Sequence, residues 1–196
     1  RDAAALKAAV REIGAPAIRN LGTIGGNICN ASPKADAALM LCAMDAMLRL
    51  QSARGERIIP ILDFWLGRGK TTLGVDELLT EVLIPRRNCR HYFKKVGARR
   101  ALAISRVSFA GLFGERDGII TVCSAAFGAV ADTVLRSPEN ESLFVGKTMA
   151  EAKAKKAEFL AAYDALIQPI QGRVSAPYRK KVCANLLSDF LAENGI

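Results

Sequence analysis

The chain has 196 residues with a net charge of +9 at pH 7, and 51% of its residues are hydrophobic and 24% charged, which is ordinary for a folded protein of one large or two small domains. No run reaches the roughly 18 uninterrupted apolar residues that a bilayer-spanning helix needs. Five scattered cysteines and a single histidine, His91, support neither a zinc nor an iron–sulfur site in this chain, and the odd number of thiols favours a reducing, cytoplasmic location.

The first predicted element is a helix that ends at Gly14. Apolar residues recur at helical spacing in the segment RDAAALKAAVREIG, at Ala5, Leu6, Ala9, Val10 and Ile13. The segment has no initiator methionine and no apolar signal core, and the chain begins inside the helical pattern. We therefore expect this chain to be the later part of something longer.

A turn-rich segment follows, RNLGTIGGNICNASPKAD (19–36), in which seven of the residues are Gly, Asn or Thr. A glycine pair permits unusual backbone angles and close approach of a ligand, and consecutive amides can form a concavity for phosphate oxygens. The sequence therefore predicts an ordered loop at 23–27 with its amides on one concave side. The alternative is a plain turn in which Asp36 caps the next helix. The segment is not a Rossmann fingerprint, because no strand precedes it.

The remaining pattern predicts an α+β fold. A buried helix, DAALMLCA, runs into a strand near Met47–Gln51, a turn at ARGE and a returning strand at RIIPIL, followed by a short helical turn at DFWLG. Strands are predicted at ELLTEVLIP and RHYFKKVGAR, then a hairpin turning at RDG, then a helix over TMAEAKAKKAEFLAAYDALI and a last one from Tyr178 to Ala192. We expect an antiparallel sheet with flanking helices over 1–88, and a small antiparallel sheet plus helices over 89–196.

The positive charge gathers in RRNCRHYFKK (86–95), ARR (98–100), KAKK (153–156) and YRKK (178–181). A basic nucleic-acid-binding domain is one interpretation. These clusters are interrupted, however, and they lack the interleaved aromatic residues of a base-stacking surface. A solvated basic face, or one that meets an acidic protein or an anionic cofactor, fits the pattern better.

The string IRNLGTIGGNICNASPKADAALMLCAMDAMLRL closely resembles the second flavin-binding motif of the FAD-binding (medium) subunits of molybdenum hydroxylases, the family of the xanthine dehydrogenase and carbon monoxide dehydrogenase flavoproteins. The family's Arg–Asn pair, Thr-Ile-Gly-Gly-Asn core, proline and acidic residue correspond to Arg19, Asn20, Thr23 to Asn27, Pro33 and Asp36. The segments ELLTEVLIP, KVGARRALAISRVSFA, AFGAVADTVLR and ESLFVGK carry the resemblance onward. Residues 1–88 would be the second FAD-binding subdomain, and 89–196 the flavoprotein C-terminal domain.

The resemblance implies an FAD site. Five consecutive residues would hold the diphosphate through backbone amides and one hydroxyl: Thr23, Ile24, Gly25, Gly26 and Asn27. Asn30 and Asp36 would meet polyol or ribose hydroxyls, and Leu79 would approach the isoalloxazine ring by its main chain. Lys95 would supply positive charge near the flavin, unless it is one more solvated lysine of a basic run. Ile13 matches a position that packs on the cofactor, although ordinary helix-face core explains it better.

The resemblance also implies the function, an electron-transfer subunit of a molybdenum hydroxylase. FAD would receive electrons from iron–sulfur clusters of one partner subunit, which receive them from the molybdenum cofactor of another, and NAD or another acceptor would take them. The redox chemistry belongs to the cofactor, so no residue here is predicted to be catalytic. The family's first glycine-rich flavin loop has no counterpart before Arg1, so we expect another chain or segment to carry the first FAD subdomain. A flavin-free scaffold of the same fold remains an alternative.

Overall fold

The computed structural model describes residues 2–99, 102–170, 172 and 174–196. Within these ranges the helices are α1 (Asp2–Arg11), α2 (Pro16–Leu21), α3 (Ile24–Cys29), α4 (Asp36–Ala43), α5 (Pro138–Glu141), α6 (Met149–Ala154), α7 (Lys156–Leu166) and α8 (Ala176–Glu193). The strands are β1 (Met47–Ser52), β2 (Gly55–Pro60), β3 (Trp65–Gly67), β4 (Lys70–Thr71), β5 (Leu78–Leu83), β6 (Arg90–Val96), β7 (Val107–Arg116), β8 (Ile119–Gly128) and β9 (Leu135–Arg136). Paired strands are antiparallel, so the predicted α+β class is confirmed.

The first sheet has the strand order β2-β1-β5. Strand β1 is central, and its inward residues Leu48 and Leu50 are fully buried, because alternate side chains of a strand point to the same face. The predicted strands and the tight turn of this region are confirmed. The helical turn predicted at DFWLG is wrong in part: a 3-10 turn covers Ile61–Asp63, and Trp65–Gly67 then extends to pair with β4. The Trp65 indole N–H donates to the Ile28 carbonyl, which anchors this extended segment.

The second sheet has the strand order β6-β7-β8-β9. Its central hairpin turns at Asp117 and Gly118, which both have positive φ (52° and 77°), and this confirms the predicted Asp-Gly turn. The face that carries Phe109 and Phe127 packs against α7 and α8. Gly111 permits this packing, because a Cβ there would lie 2.7 Å from the ring of Phe190.

The opposite face of the second sheet packs against α4, whose eight residues are all buried. Small side chains on both surfaces bring the helix close, with Ala110 and Ala126 from the sheet in the same hydrophobic cluster as α4. The Ser124 hydroxyl donates to the carbonyl of Ala43, 2.8 Å away, at the end of the helix. The second sheet is therefore the middle layer of three, and the helix from the first half of the chain completes its core.

The helices of the C-terminal region differ from the sequence prediction at one point. The single helix predicted over 148–167 is two helices, which meet at Lys155. The first of them begins in a capping box, in which the Thr148 side chain and the Glu151 side chain bond each other's backbone N–H. The last helix is confirmed and starts at Ala176, after a Ser175 cap. None of the described helices is long and apolar enough to cross a bilayer.

A buried ionic cluster connects the two halves of the chain. The Arg136 side chain is 3% exposed, and its Nε and one terminal nitrogen donate to the two Glu141 oxygens at 2.8 Å each. Its second terminal nitrogen, Nη1, donates to the Asp45 carboxylate and to the carbonyl of Cys42, which lies in the last turn of α4. Glu141 also accepts from the Ala125 amide. Burial raises the pKa of Glu141, and the Arg136 guanidinium opposes that rise.

A second carboxylate shapes the turn before β5. Glu77 accepts two hydrogen bonds from Arg57 and one from the Gly74 amide, each at 2.7 Å. Arg57, and next the Gly74 amide, lower the pKa of Glu77 from 4.5 to about 2. Because the folded-state pKa lies below the unfolded one, this interaction stabilises the fold above about pH 4.5 and is lost as the pH falls toward 2.

We expect the free energy of unfolding of the Glu77→Gln variant to fall less between pH 7 and pH 3 than that of the unaltered chain. Unfolding by urea between pH 3 and pH 7 measures this, since the slope of stability against pH counts the protons taken up on unfolding. Glu158→Gln is the matched control, because Glu158 is exposed and lies 3.9 Å from Lys155. Equal slopes for the two variants would contradict the role given to Glu77.

Candidate functional site

The glycine pair lies in a short helix, not in a loop. Gly25 and Gly26 are the second and third residues of α3, which runs from Ile24 to Cys29. The predicted ordered loop with a concave row of amides at 23–27 is therefore wrong. Neither glycine has positive φ, so the conformational freedom on which the prediction rested is not used.

Local capping and docking explain why a glycine-containing segment becomes helical here. Glycine costs about 1 kcal/mol relative to alanine inside a helix. The Thr23 hydroxyl offsets part of this cost, because it accepts the Gly26 N–H at 2.9 Å as a helix cap. Ile28 is fully buried and docks the other side of the helix on the core. The indole of Trp65 then satisfies the Ile28 carbonyl.

The start of α3 is open to a ligand. Thr23 and Gly26 are exposed, and apart from the adjoining residues and the backbone of α3 itself, no atom lies within 4 Å of the place where a Cβ of Gly25 would stand. The first N–H groups of a helix have no acceptor within the helix, and they favour negative charge. Since the Thr23 oxygen acts as an acceptor for Gly26, its proton remains available to a ligand. This end of the helix can therefore receive an anionic group at close range.

The two predicted asparagines have different surroundings. The side-chain oxygen of Asn27 accepts the Ala38 N–H at 3.3 Å, in the first turn of α4. Asn27 thus ties α3 to the start of the buried helix. Asn30 follows the last residue of α3 and is exposed.

Asp36 and Lys95 meet in a nearly buried ion pair. The Lys95 ammonium donates to Asp36 at 2.6 Å and to the Glu12 carbonyl at 2.8 Å. The Ser105 hydroxyl donates to the other Asp36 oxygen at 3.1 Å. The side chains of Asp36 and Lys95 are only 3% and 9% exposed. Burial raises the pKa of Asp36, while the Lys95 hydrogen bond, the Lys95 charge and the Ser105 hydroxyl act in the opposite direction.

The geometry of this ion pair rules out two of the alternative interpretations of the sequence, one for Asp36 and one for Lys95. Asp36 does not cap α4 with its side chain, since Ala35 precedes the helix and Asp36 is its first residue. Lys95 is not a solvated lysine of a basic run, because its ammonium is enclosed by two acceptors. The structure brings these two site residues together, yet their charges are directed at each other. Their first role is to join α4 and β6 to the turn that follows α1.

Leu79 and Ile13 lie at the edges of this region. Leu79 is the second residue of β5, is half-buried, and pairs with Leu50 on the central strand. Helix α3 packs against β5, so Leu79 and the glycine pair belong to neighbouring elements. Ile13 is half-buried, and its carbonyl accepts from Arg19 at 2.8 Å. Arg19 also bonds the Gly14 carbonyl and so fixes the turn before α2.

Sequence reasoning missed three residues that hold the site. Ser105 supports Asp36, Trp65 anchors α3, and the Ala129 amide donates to the Pro33 carbonyl at 2.7 Å. Each partner is distant in the sequence, and no local pattern marks it. A buried carboxylate paired with a lysine needs further hydrogen-bond donors for its remaining lone pairs. This rule predicts that a donor such as the Ser105 hydroxyl exists, but it does not indicate which residue supplies it.

Two family models match the chain. Residues 1–87 match a model described as the FAD binding domain in molybdopterin dehydrogenase. Residues 91–194 match a model described as the CO dehydrogenase flavoprotein C-terminal domain. Together they cover nearly all of the sequence.

Curated relatives and a solved structure agree with these models. The chain is 32% identical to a nicotinate dehydrogenase FAD-subunit of Eubacterium barkeri, over 90% of this chain and 62% of the relative. It is 37% identical to a xanthine dehydrogenase FAD-binding subunit of Escherichia coli O157:H7, over 72% of this chain and 49% of the relative. A chain of reconstituted CO dehydrogenase from Oligotropha carboxidovorans superposes with a TM-score of 0.79 at 28% identity, covering 90% of this chain and 62% of that one. The chain therefore spans less than two thirds of the length of these proteins.

Proposed function

Because the chain belongs to the family of FAD-binding subunits of molybdenum hydroxylases, we propose that it supplies one side of an FAD site and acts in electron transfer within such an enzyme. The observation that supports this best is the open start of α3. There, a glycine with free space around its missing Cβ adjoins an exposed threonine hydroxyl, and both are fixed to a rigid core.

The residues at the start of α3 would bind the diphosphate of FAD. The amides of the first helical turn and the Thr23 hydroxyl are donors, and the absent side chain of Gly25 permits close approach. Asn27 would act by holding α3 on α4, because its oxygen is engaged there. Asn30 is exposed and free to meet a polyol or ribose hydroxyl.

The Asp36–Lys95 pair would act mainly as a support. An ion pair presents little net charge to its surroundings, so Lys95 would orient the region more than it would add positive potential at the flavin. Leu79 would approach the ring system by its main chain from β5, the strand against which α3 packs. We assign these roles to residues 1–88 as the second FAD subdomain, with 89–196 as the C-terminal domain.

Bound FAD would supply the redox step, with electrons arriving from iron–sulfur clusters of one partner subunit, fed by the molybdenum cofactor of another, and leaving to NAD or another acceptor. Another chain or segment would carry the first FAD subdomain. We propose a cytoplasmic location, in keeping with the odd number of scattered cysteines in the sequence. The basic region 86–100 would line the flavin or a partner, and Arg100 lies outside the described residues.

The substitution Gly25→Val tests the site. The new side chain would stand in open space, so we expect the fold and the thermal midpoint to change little. The same side chain would block close approach to the first-turn amides, and loss of one or two charged hydrogen bonds corresponds to FAD binding at least about tenfold weaker. Fluorescence titration with FAD, on the chain reconstituted with the first FAD subdomain, measures this.

The control for this experiment is Lys155→Glu, a charge reversal at the junction of α6 and α7. We expect it to leave FAD affinity within about twofold, since screening weakens an exposed charge at a distance. Unchanged affinity in Gly25→Val, with the fold intact, would contradict the assignment of the diphosphate to α3.

A further inference from the structure

A cavity of about 490 Å³ lies beside strand β8 of the second sheet. Part of its lining is β8 itself at 121–123, and part is α5 with the residues that follow it, among them Ser142 and Val145. Its volume is within the usual range for small-molecule sites. The resemblance assigns no flavin contact to any of these residues, so the proposed function does not account for this cavity.

The edge of β8 that faces away from β7, here called the outer edge, is paired near both ends of the strand. Strand β9 pairs with it only at Ala126 and Phe127. Near the start of β8, the Ile120 N–H donates to the Lys147 carbonyl at 2.9 Å, and the Ile120 carbonyl accepts the Gly146 N–H at 2.8 Å. Two separate segments therefore cover the outer edge, and they leave a gap between them.

The gap in the outer edge falls at Cys123. Ala125 faces this edge, because its N–H donates to Glu141 at 2.9 Å and its carbonyl accepts from the Tyr163 hydroxyl at 3.2 Å. Alternate residues of an antiparallel strand direct their N–H and C=O groups to the same edge. Cys123 lies two residues earlier with no shift of register between them, so its N–H and C=O also face the outer edge. Among the described residues, no hydrogen bond on that edge reaches either group.

Cys123 thus places a donor and an acceptor side by side at the cavity. The residue is 3% exposed and belongs to the cavity lining. Buried backbone N–H and C=O groups are nearly always paired in folded proteins, because an unpaired group costs free energy comparable to a lost hydrogen bond. A ligand in this cavity can therefore gain two hydrogen bonds from a single residue.

The length of the gap restricts the kind of ligand. Addition of a peptide strand needs several consecutive free positions on an edge, whereas this gap between the two covering segments is one residue long. A planar group with an N–H donor next to a C=O acceptor, as in a lactam, matches the two groups of Cys123 without further backbone contacts. The edge therefore favours a small ligand over a peptide.

The charges around the cavity favour a neutral ligand. The lining includes two cations, Arg87 and Arg136, and the carboxylate of Glu141. Arg136 pairs with Glu141 and with one oxygen of Asp45, and Arg87 pairs with the other oxygen of Asp45. The two cations and the two carboxylates compensate one another, so a charged ligand would find no uncompensated opposite charge here.

Apolar surface from Pro138 and Val145 also lines the cavity. Burial of a flat ring against these side chains would add to the free energy of binding. We propose that the cavity binds a neutral planar ligand of the lactam class, whose carbonyl accepts the Cys123 N–H and whose N–H donates to the Cys123 carbonyl. The proposal rests on β8 and its cavity and does not require the proposed function.

Calorimetric titration of the 196-residue chain with 2-pyridone and N-methyl-2-pyridone tests the proposal. The two probes share the ring and the carbonyl, but only 2-pyridone has an N–H next to the carbonyl. We expect 2-pyridone to bind, and the N-methyl compound to bind about tenfold more weakly, because it leaves the buried Cys123 carbonyl unpaired. Equal affinity for the two probes, or no binding of 2-pyridone, would overturn the proposal.

Amide spectra of the chain labelled with nitrogen-15 at cysteine locate the bound probe. The Cys123 signal, assigned by its loss in Cys123→Ala, is expected to move to lower field when 2-pyridone accepts its N–H. Cys29 and Cys183 lie on α3 and α8, away from the cavity lining, so their signals should stay in place. Binding of the probe with no movement of the Cys123 signal would show that the site lies elsewhere and would overturn the proposal.

A larger side chain beside the cavity provides a second test. Val145 is 41% exposed, and we expect Val145→Trp to weaken 2-pyridone binding about tenfold or more, because the indole occupies space that the ligand needs. Ile58→Trp is the matched control, since Ile58 is 44% exposed on β2 of the other sheet, and it should change the affinity less than about twofold. Equal losses in the two variants would mean nonspecific binding and would also overturn the proposal.

Discussion

Replacement of Arg136 by methionine is expected to lower the free energy of unfolding by about 3–5 kcal/mol, because it leaves a buried carboxylate without its cation. Glu141 and Arg136 are 4% and 3% exposed at their side chains, and no other cation of the described residues pairs with Glu141. Asp45 would also lose one of its two arginine partners. Chemical denaturation of the variant and the unaltered chain measures the difference.

The pH dependence of this loss has a definite sign. Burial already raises the pKa of Glu141, and removal of Arg136 takes away the main opposing influence. A carboxyl group with a raised folded-state pKa destabilises the fold increasingly as the pH rises through and above its unfolded value of 4.5. The loss in Arg136→Met should therefore be large at neutral pH and smaller near pH 4.5.

Two further variants separate the ion pair from general disruption of packing. Arg116→Met is the control for an exposed arginine and should change stability by no more than about 0.5 kcal/mol. The double variant Arg136→Met with Glu141→Met removes both charges, so it should cost less than the sum of the two single changes. Additive losses would contradict a direct interaction between these two side chains.

The isolated chain is expected to hold no stably bound FAD. The resemblance implies two flavin loops, and this chain has the counterpart of one, while it spans 62% of the nicotinate dehydrogenase relative. Loss of two or more hydrogen bonds to a charged diphosphate, at about 1.5–3 kcal/mol each, weakens binding by about a hundredfold or more. Equilibrium dialysis against FAD, with and without a polypeptide that carries the first FAD subdomain, measures the ratio.

Reconstitution also separates the remaining alternatives. Recovery of yellow colour and quenching of flavin fluorescence on mixing would support a shared site. Purification of the chain alone with one equivalent of FAD would contradict the two-loop account. A reconstituted complex that still binds no FAD would favour the flavin-free scaffold.

The sequence predicts most elements of the fold because their signals are local. Asp117-Gly118 predicts its hairpin through the positive φ that both residues adopt, and the turn at ARGE predicts the antiparallel pairing of β1 with the returning strand β2. The sequence does not predict the break at Lys155, because the helical pattern continues on both sides of it.

The candidate site was harder to predict, since its geometry depends on partners far along the chain. The composition of residues 19–36 predicts turns, yet a Thr23 cap and the docking of Ile28 make α3 helical despite two glycines. The resemblance assigns Lys95 and Asp36 separately to a cofactor, and no sequence pattern shows that they face each other across 59 positions. Local preference is a weak guide wherever tertiary contacts supply the free energy.

The burial of α4 on all sides has a consequence for synthesis on the ribosome. The helix is complete at Ala43, whereas the two strands that cover it, β7 and β8, are complete only at Gly128, roughly 85 residues later. At a translation rate of roughly 5–20 residues per second, the helix waits about 4–17 s for its cover. During that interval its apolar surface is exposed on a nascent chain. Expression should therefore depend strongly on chaperones that hold unfolded chains, and slower translation should lower the yield of folded protein.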